Sequence, residues 1–265
     1  MNSLREGLFQ IPALLIVSGF FFFIFCFHWV GYKMRTKITR RNPEGDLEIK
    51  TVEAALLGLM ALLLAFSFNM AATKFESRRQ TIIDEANIIN SAILRCDLYP
   101  DSVKQSLLSG CKNYLEARIN YFRVGDDEVK IKAALDDAEK HFKIIWSQAV
   151  LLSNDPENRL RSEQMILVLL SMRNIMTTRE AGRIAAVPVL IIIVLMILVF
   201  VGSFLTGFGI RPGKRSTLLS ISFALMTSIV LYVVMELNRP RQGFVNLSSA
   251  EEKLVDLRKC FPGNN

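Results

Sequence analysis

Only two histidines and four cysteines occur among 265 residues, and neither type clusters. His28 and His141 lie far apart, with no nucleophile and no metal-ligand spacing around either. Cys26, Cys96, Cys111 and Cys260 include no CxxC pair. A zinc site needs Cys and His at short, fixed intervals, so neither a metal nor any other cofactor is expected. G-x-S-x-G, the P-loop and GxGxxG are all missing, which removes the common hydrolase, kinase and dehydrogenase signatures. No enzyme is expected from this chain. Strand-like alternation of useful length and low-complexity tracts are absent as well, which leaves helices.

Long apolar runs are present instead. The chain is 51% hydrophobic, and its apolar residues concentrate in Ile11–Tyr32, Val52–Ala72, Ala185–Phe208 and Thr217–Leu237. Each run supplies about the 20 residues needed to cross a hydrocarbon core. The first is too long for a signal-peptide core, lacks a small-x-small cleavage site and is preceded by Arg5 alone among basic residues, so it counts as a span. The net charge of +7 comes from basic residues beside the spans. Contact with anionic headgroups explains it better than nucleic acid does.

The expected class is all-α. Four transmembrane helices carry a helical extramembrane domain inserted between the second and third. The expected division is 1–72 for the first helix pair, 73–184 for the inserted domain, 185–237 for the second pair and 238–265 for the tail. Lys33 to Lys50, basic and interrupted by Asn42-Pro43-Glu44-Gly45, reads as a loop. The second span meets no Gly or Pro where its apolar run ends and should continue as helix into water until Pro100. Helices follow over Ser102–Arg123, across Ile131 to Leu152, and over Glu157–Gly182. In the middle one Ile131, Leu135, Ala138, Phe142, Ile145, Ala149 and Leu152 alternate by three and four, the spacing of a narrow apolar seam suited to docking. Cys96 and Cys111 flank the Tyr99-Pro100-Asp101 turn. Reflecting Cys96 through that turn leaves Cys111 about 9 Å too far along its helix at 1.5 Å per residue. Reduced, packed thiols are therefore expected. His28, beside Trp29, reads as an aromatic-belt residue, and His141 as a surface residue.

Charge does not orient the chain. The two short loops hold nine basic residues and the opposite side holds ten near the spans, so the positive-inside rule favours neither side. Lys33, Arg35, Lys37, Arg40 and Arg41 alone would put the first loop in the cytoplasm.

The second span carries the functional signal. Gly58, Leu62, Ala65, Asn69, Ala72 and Glu76 share one stripe, with Phe66 at its edge. A polar amide in an apolar helix faces protein or water, so the stripe either packs against neighbours, as small residues do between membrane helices, or lines a pore. Lys74, Arg78 and Arg79 follow where the helix leaves the membrane. They either concentrate anions at a mouth or snorkel to headgroups.

These residues resemble the bestrophin signature. Leu64-Ala65-Phe66, Asn69, Ala72, Lys74-Phe75-Glu76 and Arg78 match the part in which a Gly-Phe pair of the second span is followed by basic and aromatic residues. The nearer resemblance is to the bestrophin-like domain family of bacterial membrane proteins. It is carried by Phe75-Glu76-Ser77-Arg78-Arg79-Gln80, Asp84-Glu85-Ala86-Asn87, Met172-Arg173-Asn174-Ile175-Met176 and Asn238-Arg239-Pro240-Arg241-Gln242-Gly243. The resemblance implies a homo-oligomer, of five copies in bestrophins, in which second spans surround a path for small anions. It also implies a bacterial inner-membrane protein with its helical domain cytoplasmic. Leu62 and Phe66 become the constriction, and Asn69, Lys74, Arg78 and Arg79 the mouth. Ala65 stands where the signature has Gly, and Gly58 where bestrophins carry an apolar neck residue. The basic Asn238–Gly243 offers no acidic calcium clasp. The rival reading is a non-conducting membrane-anchored helical scaffold or sensor that binds a protein partner.

Overall fold

The computed structural model describes residues 13–41, 50–185, 188–210, 217–239 and 245–262. Among the described residues eight α-helices follow one another: α1 (Ala13–Arg41), α2 (Lys50–Cys96), α3 (Asp101–Arg123), α4 (Glu128–Ser153), α5 (Arg159–Ile184), α6 (Val189–Phe208), α7 (Thr217–Leu237) and α8 (Ser248–Asp256), the last continued by a 3₁₀ turn over Leu257–Cys260. No strand occurs among the described residues. Four of these helices, α1, α2, α6 and α7, are long and apolar enough to cross a membrane. The chain divides into two units, one built on these spans and one on the inserted helices with the C-terminal segment.

In the membrane unit all four spans contribute to one core, with Phe20 and Ile24 from α1, Met60 and Leu64 from α2, Leu195 and Val199 from α6, and Ala224 and Leu231 from α7. Association in lipid depends on close packing and a few hydrogen bonds, and α1 meets α6 in that way. A β-carbon on Gly31 would collide with the backbone at Phe204, and one on Gly207 with the backbone at His28. Only glycine permits this crossing. Helix α1 also corrects an expectation. It continues past Tyr32 to Arg41, through the basic stretch read as loop, because no residue before Asn42-Pro43 breaks a helix. The breaker itself lies outside the described residues.

The helical unit holds the second half of α2 with α3, α4 and α5. Ile82, Ile89 and Ile93 of α2 pack with Leu107 and Leu115 of α3, Ile145 of α4, and Met165 and Leu169 of α5. Leu254 and Phe261 of the C-terminal segment enter the same core. Pro100 directly precedes α3 and Asp127 caps α4, its carboxylate accepting from Val129 N at 3.0 Å and Lys130 N at 3.2 Å. An Asp cap satisfies amides that the first turn leaves unbonded. Gly125 between them takes φ +68, which favours glycine. Tyr99 Oη meets Ser162 Oγ at 3.1 Å, tying the α2–α3 turn to the start of α5.

Two further expectations change. The α4 seam is not free to dock a partner, because Ile131, Ala138, Phe142, Ile145 and Ala149 are buried within the unit. The Cys96 and Cys111 thiols touch: contact with Cys96, then burial, pushes the Cys111 thiol up. Both remain reduced. The reflection assumed helices in register about the turn, whereas α2 and α3 are staggered.

Candidate functional site

Helix α2 presents two different sides along its membrane half. Met60, Leu64, Ser67 and Ala71 are buried against the other spans, and the Ser67 hydroxyl is satisfied by donating to Leu63 O at 2.8 Å. The other side has no cover among the described residues of the chain. Gly58, Leu62, Ala65 and Asn69 are exposed and Ala72 is half-buried. Leu62 is 51% and Phe66 59% exposed. An uncovered leucine or phenylalanine costs nothing in lipid. An amide there would, because no water is present to satisfy it.

The basic residues expected beside this stripe do not stay together. At 3.6 residues per turn, Lys74 and Arg78 follow Ala71 on the covered side, whereas Glu76 and Arg79 follow Asn69 and Ala72. Arg78 is 8% exposed in the helical unit. Its Nε donates to Gly182 O at 2.9 Å and its Nη2 to Ala185 O, so it satisfies carbonyls that the end of α5 leaves unbonded. Arg79 lies at the surface, paired with Glu76 at 2.7 Å. Of the four expected mouth residues, Asn69 and Arg79 share a side, and Lys74 and Arg78 lie opposite.

The residues that sequence reasoning missed are the buried charges of the helical unit. Glu85 and Arg118 are fully buried and paired through Arg118 Nε, and Arg179 joins Glu85 to Glu251 of α8. Burial pushes the Glu85 carboxyl up, but Arg118 and Arg179 outweigh it and hold it below its ordinary value. Arg118 and Arg179 also place their guanidinium carbons 4.8 and 5.1 Å from the Tyr121 ring centre. Helical phase was the available signal: Glu85 falls among Ile82, Ala86 and Ile89, where a solvated residue should not.

In the membrane unit His28 departs from the belt role. Its Nε2 lies 2.7 Å from Ser220 Oγ of α7 and its Nδ1 3.2 Å from Thr206 Oγ1 of α6. It links three spans. His141 pairs with Asp137 at 3.5 Å beside the α4 core residues. Among the described residues no three His, Cys, Asp or Glu side chains converge as a metal would require.

Four spans with a helical domain inserted between the second and third define a multi-span membrane protein of bestrophin-like architecture. A family model for the bestrophin-like domain matches residues 18–251, and the chain belongs to that family. Among solved structures it is similar to a bestrophin homologue from Klebsiella pneumoniae. One structure of that protein gives a TM-score of 0.70 at 11% identity over 95% of this chain and 100% of that one. A mutant form gives 0.73 at 11% identity over 94% and 99%. At that identity the likeness is one of fold. No curated protein matches the chain.

Proposed function

We propose that the chain forms a homo-oligomeric anion channel in which α2 of each copy faces a central path, with five copies as the expected number. The observation that carries this is Asn69, an amide without a partner among the described residues of its own chain, on an exposed side of a membrane-spanning helix. A polar group at that depth calls for protein or water, and a pore between copies supplies both. Leu62, two turns nearer the short loops, and Phe66, at the stripe's edge, form the hydrophobic constriction. Asn69 follows, and Arg79 further along the same side raises the local anion concentration. Lys74 and Arg78 drop out of the mouth because they lie on the covered side. The family resemblance favours a bacterial inner membrane with the helical domain in the cytoplasm.

A second reading keeps one supporting observation. Leu151, Leu160 and Leu167 of the helical unit are 66–72% exposed, and a non-conducting scaffold could dock a protein partner there.

Chloride flux from liposomes separates the two. Wild-type flux that rises or changes selectivity in Phe66→Ala supports a pore containing Phe66. A folded wild type that passes no chloride, or that stays a monomer or dimer without a lumen, sinks the channel and leaves the scaffold.

A further inference from the structure

Cys96 closes α2 and Cys111 lies midway along α3, and both are fully buried. Their side chains are hydrogen-bonded to each other. The direction of that contact follows from a second bond. Cys96 Sγ donates to Ala92 O at 3.3 Å, so its own proton is committed and the shared one belongs to Cys111. A single buried thiol is inert. Two sulfurs in contact differ, because oxidation of one finds the other already beside it.

An oxidant can reach this pair from the end of α2. The amides of Asp97, Leu98 and Tyr99 each bond three residues back at 3.2 Å, and Asp97 and Leu98 are exposed. A last turn of this kind opens locally at far lower cost than the core it adjoins. Its opening uncovers Cys96 and leaves Cys111 covered within α3.

We propose that Cys96 and Cys111 form a reversible disulfide, a latch that fastens the end of α2 to α3 when a peroxide enters the opened turn. The peroxide transfers one oxygen to the Cys96 sulfur, giving a sulfenic acid and one water. The Cys111 sulfur then attacks the Cys96 sulfur, the S–O bond breaks, and the hydroxyl leaves with the Cys111 proton as a second water. Two electrons pass from the sulfurs to the peroxide. A dithiol restores both thiols by exchange. The latch lies wholly within the helical unit and does not rest on the channel reading.

The test adds hydrogen peroxide to the full-length protein in detergent, blocks the remaining thiols with N-ethylmaleimide in denaturant, and weighs the tryptic peptides. Lys104 separates the two cysteines, so a bond between them joins two peptides that dithiothreitol should part. The oxidised protein should unfold several degrees higher, because the bond closes a short loop of the unfolded chain, and dithiothreitol should abolish the rise. In Cys111→Ala the sulfenic acid on Cys96 has no thiol to resolve it, so dimedone should trap it there. Oxidation of the exposed Cys260 with Cys96 and Cys111 both recovered as free thiols would show an inert packed pair and overturn the proposal. A linked peptide that forms only in denaturant, or an oxidised protein with a lowered midpoint, would do the same, since the folded helices would then not accommodate the bond.

Discussion

The two units bury polar groups by different means. Along the apolar runs of its spans the membrane unit uses polar side chains and close packing: His28 to Ser220 and Thr206, Ser203 Oγ donating to Ile24 O at 2.6 Å, and a glycine crossing of α1 and α6. Its buried charges, Arg35, Glu236 and Arg239, stand at or beyond the ends of those runs. The helical unit uses charge, with Glu85, Arg118 and Arg179 nearly or wholly removed from solvent. The solvent each unit excludes explains the difference. An ion left incomplete in hydrocarbon has no water to retreat to, so spans avoid it. A water-facing domain can bury an ion pair if its geometry satisfies both partners. Mutations should therefore cost most where a charge loses its complement and least where a pair already meets water.

Glu85 should give the largest effect. Glu85→Leu leaves buried Arg118 without its carboxylate and Arg179 with Glu251 alone, and breaking one side of a buried pair costs roughly 3–5 kcal/mol. Chemical denaturation in micelles, followed by helical signal, should show most of that loss. Replacing Glu85, Arg118, Arg179 and Glu251 together by apolar residues should cost much less, because no ion of the cluster is left without its complement. The pH dependence has a fixed sign. The Glu85 carboxyl is held below its ordinary 4.5 in the folded state, so its contribution is fully present above that value and disappears as pH falls through the lower folded value. The unfolding midpoint should drop below about pH 4.5, and Glu85→Gln should make that drop shallower. Glu116 and Asp127, also held low, keep part of the slope.

The membrane unit's largest effect should come from steric fit. Gly207→Ala places a β-carbon against the His28 backbone, which cannot swing aside as a flexible side chain would. Overpacking of this kind costs about 1–3 kcal/mol. Gly58→Ala is the control, because a β-carbon there meets nothing within 4 Å in its own chain. A purified protomer should tolerate it, whereas an oligomer whose copies meet along that stripe should be weakened. Thermal midpoint and sedimentation of the two variants separate the outcomes.

Much of this fold was legible in hydrophobic spacing. Four apolar runs marked four spans, and the lack of Gly or Pro after Ala72 marked a helix that continues to Cys96. The miss at Lys33–Arg41 has a simple cause: basic residues in a loop and on a helix surface look alike until a breaker appears. Part of the geometry of the candidate site was legible. Leu62, Phe66 and Asn69 could be placed on one side of α2 because helical phase and apolar context both apply within a span. Lys74 and Arg78 were grouped with them by adjacency, whereas phase puts them on the covered side. Glu85 was quoted only as part of the family resemblance, without asking which face of α2 it occupies. Cys96 with Cys111, and His28 with Ser220, depend on helix stagger and on contacts 192 residues apart, which local pattern does not encode.

His28→Leu comes next in size. It removes two neutral hydrogen bonds between spans, and such bonds average about 0.6 kcal/mol, so the loss should be roughly 1 kcal/mol. A loss near that of Glu85→Leu would break the contrast between the units, because His28 would then be acting as a charged element.

The smallest stability effect should come from Arg79→Ala. Arg79 and Glu76 are 43% and 58% exposed, and an exposed pair on one helix contributes about 0.5 kcal/mol or less. The unfolding midpoint should hardly move. If α2 faces an anion path, the same substitution should lower chloride flux more at low ionic strength than at high, because salt screens the field of an exposed charge. Arg78→Ala should do the reverse, reducing stability by removing donors from the α5 carbonyls without producing that salt-dependent loss. Flux that responds equally to both substitutions would mean that side of α2 has no special role, since only Arg79 lies on the exposed side with Asn69.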